Sequence, residues 1–166
     1  MVDHPCLKSR IADIEFKNPI GLAAGFDKNG EMLSFLEALG FGHIELGSIT
    51  ARACEGKPKP RIFRIPEDKS LINRMGLPNC GADVFHDHIE KLTPLTPIGI
   101  NVAKTPDFAK GEKLSDIEDY LYSFEKLYHC GSYHVLNLSC PNTDANMIFE
   151  AVSYTHLQAH ETSIDL

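Results

Sequence analysis

Four short apolar runs, PIGLAAG (19–25), HIELGSI (43–49), IGINVA (98–103) and YHVLNLS (133–139), alternate along this chain with stretches of helical period. That alternation restricts the fold more than any other feature. Strands apolar throughout are buried on both faces, and strand–helix units with short links pair in parallel. After the first run, NGEMLSFLEALG sets Met32, Leu33, Leu36 and Leu39 on one predicted helical face, with Gly40 placed to end it. Ala82 to Leu92 predicts a second helix with Phe85, Ile89 and Leu92 inward. SDIE at 115–118 has the form of a capping box and opens a third, with Ile117, Leu121, Phe124 and Tyr128 on one stripe. ADIEF (12–16) reads as a further short strand, and EGKPKPR as a Pro- and Lys-rich loop.

Two α/β architectures satisfy this pattern: a doubly wound open sheet, or part of a TIM (β/α)₈ barrel. The polar residues decide between them. Asp27-Lys28, Gly47-Ser48, Asn101 and Asn137 to Asn142 all follow directly on apolar runs. In a barrel those strand ends converge on one mouth, where the active site lies, whereas an open sheet spreads several away from its switch point. The absence of GxGxxG and Walker loops also weakens a classical nucleotide fold. A full barrel takes about 250 residues, and this chain has 166. The expectation is therefore a truncated, N-terminal half-barrel, about four βα units over residues 1–150.

Composition narrows the function. Apolar residues make up 43% and the net charge is −7, which argues against nucleic acid or an anionic membrane as partner. The start, MVDHPCLKSR, lacks a secretory apolar region. Five cysteines, none spaced as CxxC, argue against a disulfide framework or zinc site and fit a reducing cytoplasm. His86 and His88 in HDH, and His156 and His160 in HxxxH, are tempting metal ligands, but neither sits in an HExxH pattern; no metal is expected. The tail beyond Glu150 has no clear period. VSYTHLQAHET resembles the in-frame translation of a transposon-end adapter used in sequencing libraries, so residues 151–166 are expected to be non-native and without function.

Chemistry concentrates in a few stretches. In NLSCPNT, Pro141 restricts Cys140 to extended geometry, and Asn137 and Asn142 offer amide donors and acceptors to the edges of a planar ligand. The thiol could then act as nucleophile or proton acceptor. The plainer alternative is a buried strand-end cysteine with loop-capping asparagines. In AAGFDKNG, Ala23, Ala24 and Gly25 allow a flat ring close to the backbone, and Lys28 adds a cation; a tight turn with a solvated lysine fits equally. INRMGLPN, Ser48 and Asn101 each admit an ordinary polar-loop reading. Their shared location at strand ends gives them weight together.

In this order, NPIGLAAGFDKNGE, GSIT with GKPKPRIFRIPED, INRMG, GIN and NLSCPNT resemble the dihydroorotate dehydrogenases, from about Ile11 to Thr143. The resemblance implies a (β/α)₈ barrel carrying FMN, which oxidises dihydroorotate to orotate in pyrimidine synthesis. It implies that Ala24, Gly25 and Lys28 line the flavin, with Lys28 also reaching substrate, and that Ser48 and Asn101 hydrogen-bond FMN. Asn73, Arg74, Met75, Gly76 and Leu77 would wall the orotate pocket; Asn137 would touch both ligands and Asn142 the substrate. Cys140 matches the general base. An ordinary thiol ionises near pH ~8.5, so that role needs a stabilised thiolate or onward proton transfer.

AAGFDKNGE and INRMG resemble the membrane-associated, quinone-reducing class. Cysteine as base and MGLPN are typical of the soluble classes instead; the balance of motifs leans to quinone. Such a protein would be cytoplasmic, peripheral to the inner face of the membrane. One alternative is the flavin domain of a dihydropyrimidine dehydrogenase, although the cysteine clusters of its iron–sulfur neighbours are missing. Another is a non-catalytic half-barrel that pairs with a partner chain or forms a homodimer through an exposed sheet edge. The strands, second lysine and glycine loops of a second half are missing, so the 166-residue chain alone is expected to be poorly soluble and not to retain FMN.

Overall fold

The chain is described by a computed structural model that covers residues 4–111, 114–138 and 140. The tail beyond residue 150, with His156 and His160, and the substrate candidate Asn142 lie outside the described residues. Two strands, β1 (Ser9–Ile11) and β2 (Ile14–Phe16), form an antiparallel hairpin at the start. Four strands then build a parallel sheet: β3 (Gly21–Leu22), β4 (His43–Ile49), β7 (Ile98–Ala103) and β8 (Tyr133–Asn137). Between β4 and β7 the chain makes a second antiparallel hairpin, β5 (Ile62–Ile65) with β6 (Ser70–Asn73). Helices α1 (Leu33–Leu39), α2 (Ala82–Ile89) and α3 (Asp116–Leu127) connect the parallel strands.

The spatial order of the sheet, β3-β4-β7-β8, repeats the order in sequence. A doubly wound sheet must reverse its strand order at a switch point, whereas a barrel adds each strand beside the last. The helices also supply one core on one side. Leu33 and Leu36 of α1, Phe85 and Ile89 of α2 and Leu127 of α3 cluster with Ile44, Leu46, Ile98, Ile100 and Val102 from the strands. The fold is an N-terminal segment of a TIM barrel. The strand residues between the core-facing ones, His43, Glu45 and Asn101 among them, belong to the opposite face because side chains alternate along a strand. His43 packs edge-on against Phe16 of β2 at 5.3 Å, so the first hairpin closes the lower end of the sheet.

Several sequence expectations change in the folded chain. PIGLAAG pairs only at Gly21–Leu22. The helix after it is short: Asp27, buried, accepts from the Glu31 and Met32 amides at 3.0 and 2.8 Å, so its carboxylate holds the turn before α1. Leu33 and Leu36 are buried, but Met32 and Leu39 are exposed; Met32 lies outside α1, and at 100° per residue Leu39 has rotated off the stripe. Gly40 ends α1 in the left-handed conformation, as expected. The EGKPKPR stretch is a loop, as expected, and the β5–β6 ribbon that follows it was not foreseen.

The larger reversal concerns α3. The capping box forms as its sequence predicts, with Ser115 Oγ accepting from the Glu118 amide at 3.4 Å and Glu118 Oε2 from the Ser115 amide at 3.0 Å. Yet the stripe Ile117, Leu121, Tyr128 is turned out, at 67%, 50% and 55% exposure, while Asp119, Ser123 and Leu127 are buried. These polar groups tolerate burial because they are paired. Asp119 Oδ1 accepts from the Thr105 amide at 2.8 Å, and the Ser123 hydroxyl donates to the Asp119 carbonyl at 3.1 Å.

Candidate active site

All four parallel strands end at one cavity of about 1160 Å³. Its walls are assembled from segments far apart in sequence. The loop after β3 brings Ala24, Gly25 and Lys28; β4 brings Glu45 and Ser48; β7 brings Asn101; β8 and the residues after it bring Asn137 and Cys140. The β5–β6 ribbon adds Ile62, Leu71 and Asn73, and the turn following it Met75, Gly76 and Leu77.

Ser48 reaches this cavity through a break in the strand. Gly47 pairs with Asn101 and Ile49 with Val102, so Ser48 is the extra residue of a bulge in β4, and a bulge re-aims the side chain it carries. Gly47 is required there. Its φ is +111°, and a Cβ would stand 2.5 Å from the Asn101 carbonyl oxygen.

The polar groups behind the opening are joined across three strands. Asn137 Nδ2 donates to Ser48 Oγ at 3.1 Å, the Ser48 hydroxyl donates to Asn101 Oδ1, and Asn101 Nδ2 donates to Glu45 Oε1 at 2.7 Å. On the β3 side Lys28 Nζ donates to the Gly25 carbonyl at 2.7 Å. Burial holds the Lys28 ammonium below its ordinary value; a negative charge at Cys140 opposes that shift and the Arg61 cation adds to it. The turn carrying Met75 to Leu77 is held by Asn79, buried, whose Oδ1 accepts from the Gly81 amide at 2.9 Å and whose Nδ2 donates to the Leu77 carbonyl at 2.9 Å.

Of the described residues singled out in the sequence for cofactor, substrate or base, the cavity gathers all but one. Arg74 is the exception. Its guanidinium donates to the Pro60 carbonyl at 3.0 and 3.3 Å and lies over the Phe63 ring, away from the cavity wall. Glu45, Ile62 and Leu71 were not anticipated. The available signal for Glu45 was an acid at an alternate position of an otherwise apolar strand; the ribbon residues gave none, because that ribbon is largely exposed on both faces. In the HDH stretch, His86 meets Asp87 and Glu90, both at 3.3 Å, and His88 the Gly30 carbonyl at 3.1 Å. Among the described residues no cluster of His, Cys, Asp and Glu could hold a metal ion, and no helix is long and apolar enough to cross a membrane.

The cavity sets amide donors, an ammonium and a thiol among apolar side chains, an arrangement that suits a flat, carbonyl-rich heterocycle. Fold and site thus define part of a barrel with a large, polar-lined cavity at the mouth of its sheet. The family model for dihydroorotate dehydrogenase matches residues 6–159, and the chain belongs to that family. It is 49% identical over 139 residues to dihydroorotate dehydrogenase (quinone) of Gloeobacter violaceus, covering 84% of this chain and 38% of that protein. It is 45% identical over 139 residues to the protein of the same name from Halorhodospira halophila, covering 84% and 40%. The crystal structure of DHODH from Eimeria tenella in complex with ferulenol superimposes with a TM-score of 0.82 at 33% identity, covering 96% of this chain and 44% of that one. The chain thus spans about two fifths of the length of these relatives.

Proposed function

We propose that this chain is the N-terminal part of an FMN-dependent dihydroorotate dehydrogenase, which converts dihydroorotate to orotate. The observation that carries the reading is the convergence of Lys28, Ser48, Asn101 and Cys140 on one cavity from the four parallel strands or the residues that follow them. The residues present fit a flavin with a pyrimidine beside it. The donor set offers hydrogen bonds to ring carbonyls and nitrogens, and the cavity exceeds what a single small ring needs. Ala24, Gly25, Lys28, Ser48, Asn101 and Asn137 would hold FMN. Asn73, Met75, Gly76, Leu77, Lys28 and Asn137 would hold the substrate, with Asn142 as a further candidate. When bound, FMN supplies a hydride acceptor.

The chain's own residues supply the rest. Cys140 takes the proton from the substrate carbon adjacent to the one that loses hydride, and the electron pair left behind closes the ring double bond. The names of the relatives support a quinone as the final electron acceptor, and with it a location at the membrane surface.

The test uses the full-length protein, obtained by re-reading the source DNA across the codons for Glu150 to Val152 and following the frame onward. Purified, it should be yellow and should bleach on anaerobic addition of dihydroorotate. Cys140→Ala should keep the flavin but slow bleaching by about 10²–10⁴-fold, the usual contribution of a positioned base. A colourless protein, or one that dihydroorotate leaves yellow, would refute the reading. Bleaching of the variant at the parental rate would remove Cys140 from it.

A further inference from the structure

The polar side chains behind the cavity run in one direction. Asn137 donates to Ser48, Ser48 to Asn101, and Asn101 to Glu45. Glu45 ends the run, and its chemistry explains the direction. A carboxylate accepts hydrogen bonds and does not donate them, whereas an amide or a hydroxyl can do either. The amide group that meets Glu45 must therefore be the NH₂ of Asn101. That turns the Asn101 carbonyl toward Ser48, so the hydroxyl commits its single proton there. Its lone pairs are then left to accept from the Asn137 amide.

Glu45 is half-buried on the cavity side of β4, between Ile44 and Leu46 in the core. Among the described residues no lysine, arginine or histidine pairs with it, and Asn101 is its hydrogen-bond partner.

We propose that Glu45 is a positioning residue that sets the direction of this chain and thereby the face each asparagine turns to the bound ring. One amide proton of Asn101 goes to Glu45, and the second has no acceptor among the described residues. Toward a ligand Asn101 is then a donor and selects an acceptor atom, a ring carbonyl or an unprotonated ring nitrogen. The identity of that ring rests on the function proposed above; the direction of the chain does not.

Two variants test it. Glu45→Gln matches the glutamate in shape but can also donate, so the run loses its fixed direction; Glu45→Asp keeps an acceptor-only group. In ¹⁵N-labelled full-length protein without ligand, the Asn101 side-chain amide signals, assigned by their loss in Asn101→Asp, should move in Glu45→Gln and stay near parental in Glu45→Asp. FMN affinity, by fluorescence quenching, should fall at least about tenfold in Glu45→Gln and recover in part in Glu45→Asp, in line with losing one charge-assisted orienting bond. Unmoved Asn101 signals in Glu45→Gln overturn the proposal, even if melting temperature falls, because Glu45 would then be structural only. Moved signals with parental FMN affinity overturn its role toward the ring. If the parent binds no flavin, the functional reading fails, and the amide signals alone decide the direction of the chain.

Discussion

Lys28 shows how one residue's surroundings change its chemistry. Burial is the main reason its ammonium lies below the ordinary value of 10.5, so the unfolded chain binds the extra proton more readily. Lys28 therefore lowers stability while it is charged, and that penalty is relieved as pH rises from the folded pKa toward 10.5. The stability of Lys28→Met relative to the parent should accordingly be greatest near neutral pH and decline toward about pH 10.5. Urea midpoints across that range measure it, and a difference that stays flat or grows would contradict the assignment. The thiols give a second residue-level expectation. Burial is the leading cause that raises the Cys54, Cys80 and Cys130 thiols above 9.0, so each holds less reactive thiolate at pH 8. Mass spectrometry of briefly alkylated protein should find exposed Cys6 modified several-fold faster than these three. Equal labelling would mean that the burial is not maintained in solution.

At the scale of single elements, α3 separates what is local from what is not. Its start is local, since Ser115 and Glu118 satisfy each other's backbone donors within one turn. Ser115→Ala should cost about 1 kcal/mol of stability, as loss of such a cap generally does. The hydrogen bond from Ser115 is also the leading cause that depresses the Glu118 carboxyl. Stability from that group is present above its ordinary 4.5 and lost as pH falls through the folded pKa. The deficit of Ser115→Ala, followed by thermal melts, should therefore shrink in acid; a deficit equal at pH 3 and 7 would rule the linkage out. In β4 the bulge makes its own demand. Gly47→Ala forces a side chain into positive φ against the Asn101 carbonyl and should cost about 1–3 kcal/mol. Because Ser48 and Asn101 flank the clash, flavin binding by the full-length protein should weaken with it. An unchanged melting temperature and affinity would argue against the bulge.

For the molecule as a whole, the apolar groups left outside are as informative as the core. Ile117, Leu121 and Tyr128 on α3, Leu136 on the outer strand β8 and Phe35 and Leu39 on α1 are exposed. Patches of this kind seek a partner surface. The 166-residue chain, purified alone, should bind an apolar dye and elute with a concentration-dependent size. A monomer that leaves the dye dark would show that these groups are covered in solution. The half-barrel that pairs with another chain predicts a discrete dimer instead, which light scattering would separate from open-ended association.

Much of this was written in the sequence. Apolar runs interrupted or followed by Lys28, Ser48, Asn101 and Asn137 announced both the strands and the residues that line the cavity, because burial and polarity are recorded in adjacent residues. The Ser115 cap and the Gly40 stop were legible for the same reason. The β5–β6 ribbon was not, since an element exposed on both faces carries no burial period. Nor was the inward face of α3, where Asp119 is acceptable inside only because the Thr105 amide meets it there. Arg74 read as a ligand group until the Pro60 carbonyl and Phe63 claimed it. The sequence by itself determined the four strands of the parallel sheet, the three helices between them, and which polar residues interrupt or follow the apolar runs. Only the tertiary structure decided which faces are buried, and that Glu45 orients Asn101, Ser48 and Asn137. Hydrogen-bond direction is settled between side chains that meet in space, and residues 45, 101 and 137 meet only after three strands have paired.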